Sequence, residues 1–296
     1  LYRLILRTYA QYRRADEATF YLATALQDTG HPNDAVKEFT KLVRNYPQSR
    51  FTPDAYVMIG EYYFENNNAY KALLAYQKAT KYKNSPKYAF ALYKLAWCYY
   101  NVGEFGKAID TMKAVVSFSM TAMEGNAKSQ LTLQDEALKD LVRFFADAGE
   151  MDEAYGYFTK LGKKNLIKSM LRRLASLYFE QGKYEQAIET FRRLILEDHT
   201  SSKNAGYQHD IIKSYAKMGQ KDRVLEEIDR LRHEYGPGSS WARNNSADQE
   251  AVTEATAVIE RVLRRTATNY HTEAQTLAKS RHRRASDAYN RAYQAY

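Results

Sequence analysis

The residues with chemistry to offer are six histidines, one cysteine and a few adjacent acid pairs. Metal coordination needs ligands at a set spacing, such as two histidines four apart flanking a glutamate. His31, His199, His209, His233, His271 and His282 never fall into such a pattern, so they read as turn and surface residues. Cys98 stands alone, which excludes an internal disulfide and a cysteine-based metal cluster. Its setting, LAWCYY, reads as a buried, inert thiol inside a helix. The pairs Asp135-Glu136, Asp152-Glu153 and Glu226-Glu227 sit at helix starts or on solvent faces, where carboxylates favour the positive end of the helix dipole. There is no phosphate-binding GxxxxGKS or GxxxxGKT, no GxGxxG after a strand and no GxSxG. The chain therefore reads as non-enzymatic, with no cofactor, no metal and no small-molecule substrate.

What the sequence does specify is a set of helices. The stretch Pro53 to Tyr88 reads as two amphipathic helices joined by the polar turn Asn66-Asn67-Asn68. Tyr56, Ile59, Gly60 and Tyr63 share one helix face at i, i+3, i+4 and i+7, and Ala72, Ala75, Tyr76 and Ala79 do the same on the second helix. Gly60 and Ala72 are small where the helices must come close. Pro53 suits a first turn, and Pro86 stops the second helix.

The same pattern recurs along the chain. Its key small residues are Ala35, Ala72, Ala108, Ala154 and Ala187, spaced by 37, 36, 46 and 33, with Val224 in the sixth place. The long 46-residue step predicts an interrupting excursion at 117–135, polar and carrying the turn signal Gly125-Asn126. Gly236-Pro237-Gly238-Ser239-Ser240 reads as a linker. The expected division is an N-terminal array at 1–116 (a partial first repeat and three full ones) and a second array of three repeats at 136–237. Basic helices follow at 248–296, read as a truncated further repeat. Leu1, Leu4, Ile5 and Tyr9 mark the opening helix as the second half of an incomplete repeat, and Tyr289, Tyr293 and Tyr296 echo it at the other end. A further helix is expected from about Tyr270.

Composition fits. Five Pro and 13 Gly argue against a loop-rich or β-rich fold, and most of the 26 Tyr fall at repeated helix positions as packing residues. No run of apolar residues is long enough to span a membrane as a helix. Residues 261–296 hold 8 Lys or Arg against 2 Asp or Glu, so +6 of the net +9 lies there. That segment includes Arg264, Arg265, Lys279, Arg281, His282, Arg283 and Arg284, a solvated face or a contact for an anionic surface.

Written out, Tyr56-x2-Ile59-Gly60-x2-Tyr63-x8-Ala72-x3-Tyr76-x2-Ala79 resembles the tetratricopeptide repeat, with a tyrosine in the usual tryptophan place. The resemblance covers about Asp16 to Pro237. It implies an all-α fold, an α-solenoid of helix-turn-helix repeats in a right-handed superhelix, and a role as a protein–protein interaction scaffold. First helices line the concave groove of such arrays. The resemblance places Asp54, Val57, Glu61, Phe64 and Glu65 there in the anchor unit, and Phe90, Tyr93, Trp97, Tyr100 and Asn101 in the next. Lys139 and Arg143, Arg172 and Phe179, then His209, Lys213 and Lys217 follow. An aromatic platform beside a basic stretch suits an extended acidic peptide with an apolar anchor. The alternative is that Phe90, Tyr93 and Trp97 pack against the neighbouring unit.

The pairs Val57/Glu61, Tyr93/Trp97 and Lys139/Arg143 lack the Lys and Asn of the family's chaperone-tail clamp, so that ligand is not expected. The phrases NYPQSRFTPDAYVMIGEYYF and LYKLAWCYYNVGEFGKAI resemble repeat proteins of bacterial envelope machinery, which serve outer-membrane assembly, Tol–Pal and gliding motility. That resemblance implies a Gram-negative periplasmic or envelope location, with association through partners or an N-terminal anchor; a cytoplasmic location is the alternative. Rival readings of function are a nucleic-acid-binding repeat using the basic C-terminal helix, and the regulatory arm of an enzyme.

Overall fold

The computed structural model describes residues 1–9, 12–121, 127–162, 164–279 and 284–295, and all regular structure among them is helical. The chain divides into two compact units, residues 1–150 and 151–296.

The first unit holds α1 (Tyr2–Thr8), α2 (Ala15–Asp28), α3 (Pro32–Asn45), α4 (Thr52–Glu65), α5 (Ala69–Ala79), α6 (Tyr88–Asn101), α7 (Phe105–Thr121) and α8 (Ala127–Ala148). Each helix packs on its neighbour in sequence, so α2/α3, α4/α5 and α6/α7 form stacked hairpins. The turns share one geometry. Asn67 in the anchor turn has φ +54, and Gly30 and Gly103 hold the matching positions at +78 and +79. Each lies five residues before its key alanine. The N–H of the next residue donates to a carbonyl five residues back, as from Asn68 to Tyr63 (2.8 Å) and from Glu104 to Tyr99 (2.9 Å). This left-handed closure satisfies carbonyls that the helix end leaves open.

The small residues sit where expected. Ala35, Ala72 and Ala108 are fully buried at the helix crossings. Gly60 faces Tyr76, itself buried, and a Cβ on Gly60 would stand 2.7 Å from the Tyr76 ring. The Tyr76 hydroxyl donates to Glu61 across the same crossing.

The second unit holds α9 (Met151–Lys160), α10 (Lys164–Glu180), α11 (Tyr184–Glu197), α12 (Asn204–Lys217), α13 (Lys221–Tyr235), α14 (Ser240–Asn244), α15 (Gln249–Lys279) and α16 (Ala285–Ala295). Gly182 and Gly219 close its α10/α11 and α12/α13 turns as in the first unit. Glu227 on α13, expected at a helix start or on a solvent face, is instead buried, and Gln208 of α12, Arg192 of α11 and Arg230 donate to its carboxylate. Donors from three side chains replace the hydrogen bonds that a carboxylate loses on leaving water.

Four expectations are corrected. The excursion at 117–135 is largely helix: α7 runs to Thr121 with Val116 and Ser119 buried, and α8 begins at Ala127. Phe118 meets the Tyr88 ring edge-on at 5.0 Å, which keeps α7 helical past its polar residues. The Gly125-Asn126 signal lies outside the described residues. The array boundary moves with this, since α8 belongs to the first unit and the second begins at Met151 rather than 136. The linker is packed as well. Ser239 caps α14, and Trp241 is buried against Tyr235 with its Nε1–H donating to the Ser201 carbonyl at 2.8 Å. Finally, no helix starts near Tyr270. That residue lies within the 31-residue α15, buried, its hydroxyl donating to the Lys221 carbonyl at 3.2 Å.

The chain's ends differ in packing. Tyr2 of α1 stacks on Tyr21 of α2 at 6.0 Å, while Leu1, Leu4 and Tyr9 are exposed. α16 packs on α15 through Ala288 and Ala292, and Tyr289 meets His271 edge-on. Tyr296 lies outside the described residues. Among those residues no helix is long and apolar enough to cross a membrane.

Gly60→Leu should lower stability by about 1–3 kcal/mol, because the Tyr76 ring has no room to retreat. Gly156, mid-helix in α9, has nothing within 4 Å of a built Cβ, so Gly156→Ala should instead stabilise by roughly 0.5–1 kcal/mol. Paired urea melts check both signs.

Candidate functional site

In the first unit, the residues assigned to the groove are drawn into contacts between helices. Tyr93 donates its hydroxyl to Asp140 Oδ2 at 2.6 Å, and Trp97 Nε1–H donates to the same oxygen at 3.1 Å. Tyr100 donates to Asp147 and stacks on Phe144 at 4.6 Å, while Trp97 meets Phe144 edge-on at 5.1 Å. The Arg143 guanidinium lies 5.7 Å from the Trp97 ring centre and 5.5 Å from that of Tyr100. α6 and α8 are therefore latched by two carboxylates, an arginine and four aromatic side chains. Burial, then the bond to Asp140, raises the Tyr93 phenol well above its usual range, so it stays a donor. Trp97 is thus a half-buried packing residue whose N–H is already used.

The remaining first-unit positions divide. Phe64 and Phe90 flank Lys94, whose Nζ is 4.8 and 5.3 Å from their ring centres and 2.9 Å from Glu61 Oε1. Val57, expected in the groove, is core at 3% exposure, because its face of α4 meets α5 and α6. Asn101 and Lys139 are exposed. Burial pushes the Cys98 thiol up to about 12, which leaves it protonated and unreactive.

In the second unit, α10, α12 and α15 enclose a cleft of about 820 Å³. Its floor is apolar, built from Ile212, Val224, Val262 and Tyr270, all buried. Its walls are basic: Lys213 and Lys217 on α12, Lys221 on α13, and Arg261 and Arg265 on α15. Lys213 bonds Asp210 at 2.5 Å and lies 5.7 Å from the Phe179 ring centre, and Lys221 bonds Glu273 at 2.5 Å. Among the described residues no ion pair engages Lys217, Arg261 or Arg265, so the cleft holds uncompensated positive charge.

His209 also lines the cleft. Burial first, then Lys213, Arg261 and Arg265, hold its imidazole below the ordinary histidine range, against the opposing pull of Asp210. Arg172 lies apart from this cleft, in a hollow with Lys203 and Tyr207. Lys213, Lys217, His209 and Phe179 were legible as facing residues. Arg261 and Arg265 were not assigned to the site, although they stand four apart on α15 beside the buried Val258 and Val262 stripe. Arg281, His282 and Arg283 of the basic segment lie outside the described residues.

Stacked hairpins with a small residue at each crossing and a left-handed residue at each turn define an α-solenoid of helix-pair repeats. The tetratricopeptide repeat pattern matches residues 20–89 and 57–122, and a second form of it matches 170–198. Those residues are tetratricopeptide repeats. No curated protein sequence matches it. Among solved structures it is similar to a tetratricopeptide repeat protein from Parabacteroides merdae, at 16% identity over 95% of this chain and 99% of that one, TM-score 0.44. It is also similar to the assembly chaperone of RpL4 (16%, 81% and 97%, 0.39) and to a Rap protein complexed with competence and sporulation factor (16%, 95% and 85%, 0.37). Likeness at these levels carries no function across.

Asp140→Ala strands the Tyr93 and Trp97 donors and should cost about 1–3 kcal/mol of stability. Tryptophan emission followed through a urea melt reads this directly. For His209, an NMR titration should place the imidazole midpoint below that of an exposed histidine. Arg261→Ala with Arg265→Ala should raise the midpoint, since both cations disfavour the protonated ring.

Proposed function

We propose that this chain is a non-enzymatic scaffold that holds protein partners, with the basic, apolar-floored cleft of the second unit as its recognition surface. The repeat fold is generally an interaction module rather than a catalytic one. The observation that carries the reading is the cleft itself: charge without an internal partner, over a floor of buried apolar side chains. Apolar floors supply burial energy and charged walls set orientation and encounter rate. The unit's-end phrase at Tyr46 to Ser49 and the sequence after it support a place in a Gram-negative envelope assembly. In the first unit the aromatic run of α6 serves packing against α8, which leaves the half-buried Phe64, Phe90 and Lys94 as a smaller contact surface.

A photo-crosslinking amino acid in place of Lys217 tests the reading in native extract, with the exposed Lys78 of α5 as the comparison site. Discrete protein adducts from position 217, absent from position 78 and resistant to nuclease, are expected. Adducts that nuclease removes, or identical products from both positions, overturn it.

A further inference from the structure

We infer that the occupant of the second-unit cleft is an acidic polypeptide segment carrying an apolar side chain, its carboxylates meeting Arg261, Arg265 and Lys217. This rests on the scaffold reading and names the chemistry of the partner. The walls set the sign of the charge. Lys213 and Lys221 are answered by Asp210 and Glu273, whereas Arg261 and Arg265 stand one helical turn apart, exposed on the cleft wall and in no ion pair among the described residues. Guanidinium groups bind carboxylates through two parallel hydrogen bonds, which favours planar acid groups at fixed points. The floor asks for a second kind of group. Phe179, half-buried beside the buried Ile212, Val224 and Val262, offers apolar surface that a purely ionic ligand leaves wet.

Acidic polypeptide is favoured over nucleic acid by the carboxylates built into the same walls. Glu273 and Asp210 line or border the cleft, and Glu260 lies beside Arg261 in the adjoining hollow. A phosphate backbone carries a charge at every step and cannot avoid them. A peptide places its carboxylates at chosen residues and presents neutral ones elsewhere. The cleft also lies largely outside the matched repeat residues, since α12 and α15 follow residue 198.

His209 gives the site a second signature. The groups facing it are Asp210 and Lys213 on its own helix and Arg261 and Arg265 on α15, with Lys217, Lys221 and Glu273 in the same cleft. A carboxylate seated among those cations stabilises protonated imidazole, so binding takes up a proton. By linkage, affinity then rises as pH falls through the histidine range.

The probe is a fluorescein-labelled peptide of glutamates flanking one phenylalanine, titrated by anisotropy with the full chain. Tight binding that weakens with salt is expected, as is roughly tenfold or greater loss in Arg261→Glu with Arg265→Glu. Lys217→Glu should weaken it in the same direction, and circular dichroism confirms that each variant is folded. Replacing the phenylalanine with glycine should also loosen binding. Wild type should bind more tightly at lower pH, and His209→Phe should flatten that dependence. Undetectable binding overturns the inference. So does equal binding by a lysine peptide or by the charge-reversed variants, a flat wild-type pH profile, or tighter binding of an oligonucleotide. Protein adducts at position 217 alongside any of those results would leave the scaffold reading standing and remove only the acidic partner.

Discussion

Two helices share a core only where something small lies at their crossing, and the rest of this fold follows from meeting that condition repeatedly. Ala35, Ala72, Ala108 and Ala187 meet it on the second helix of a pair, and Gly60 meets it on a first helix, under the Tyr76 ring. The condition would be idle if the second helix arrived in a different register each time. The turn prevents that. A left-handed residue five positions before each alanine, with its hydrogen bond five residues back, fixes both the length of the connection and the face that leads inward. Distance and register together decide which side chains remain on the outer face of a first helix.

Much of this was legible because it is local. Small residue, turn residue and apolar spacing all fall within one hairpin, and the crossing read at Gly60, Ala72 and Tyr76 is observed, although Val57 turns into the core rather than the groove. What was not legible depends on partners far apart in sequence. Tyr93 and Trp97 find Asp140 at separations of 47 and 43 residues, and no pattern within either helix announces the pairing. An aromatic run on a first helix looks the same whether it faces a ligand or the next helix. Trp241 is a similar case: the Gly-Pro-Gly beside it marks a turn correctly, but its burial depends on Ser201 and Tyr235. The stretch 117–135 was misread because polar composition was taken for irregular backbone. Helices bear polar faces without difficulty when the other face is packed.

The cleft shows how a nearly balanced sequence acquires a charged surface. Four acidic residues of the second unit are held in specific pairs: Glu227 with Arg192 and Arg230, Asp198 with Lys168, Asp210 with Lys213 and Glu273 with Lys221. Among the described residues Lys217, Arg261 and Arg265 are in no ion pair, and α12 and α15 bring them to one place. The depressed basicity of His209 comes first from burial and then from that field. Counting charges along the chain located an excess near the C-terminus but assigned it to a run of neighbours. Folding gathers it instead from residues more than forty positions apart.

The chain's two tryptophans fall one to each unit, Trp97 in the first and Trp241 in the second. Each is held by a hydrogen bond from its indole and abuts a tyrosine, Tyr100 at 5.3 Å and Tyr235 at 5.5 Å. The protein therefore carries a native optical probe in each half, needing no dye or label. With either indole replaced by phenylalanine, the emission that remains belongs to one unit alone. Whether the halves melt as one cooperative body or as two then becomes a question of comparing two fluorescence curves.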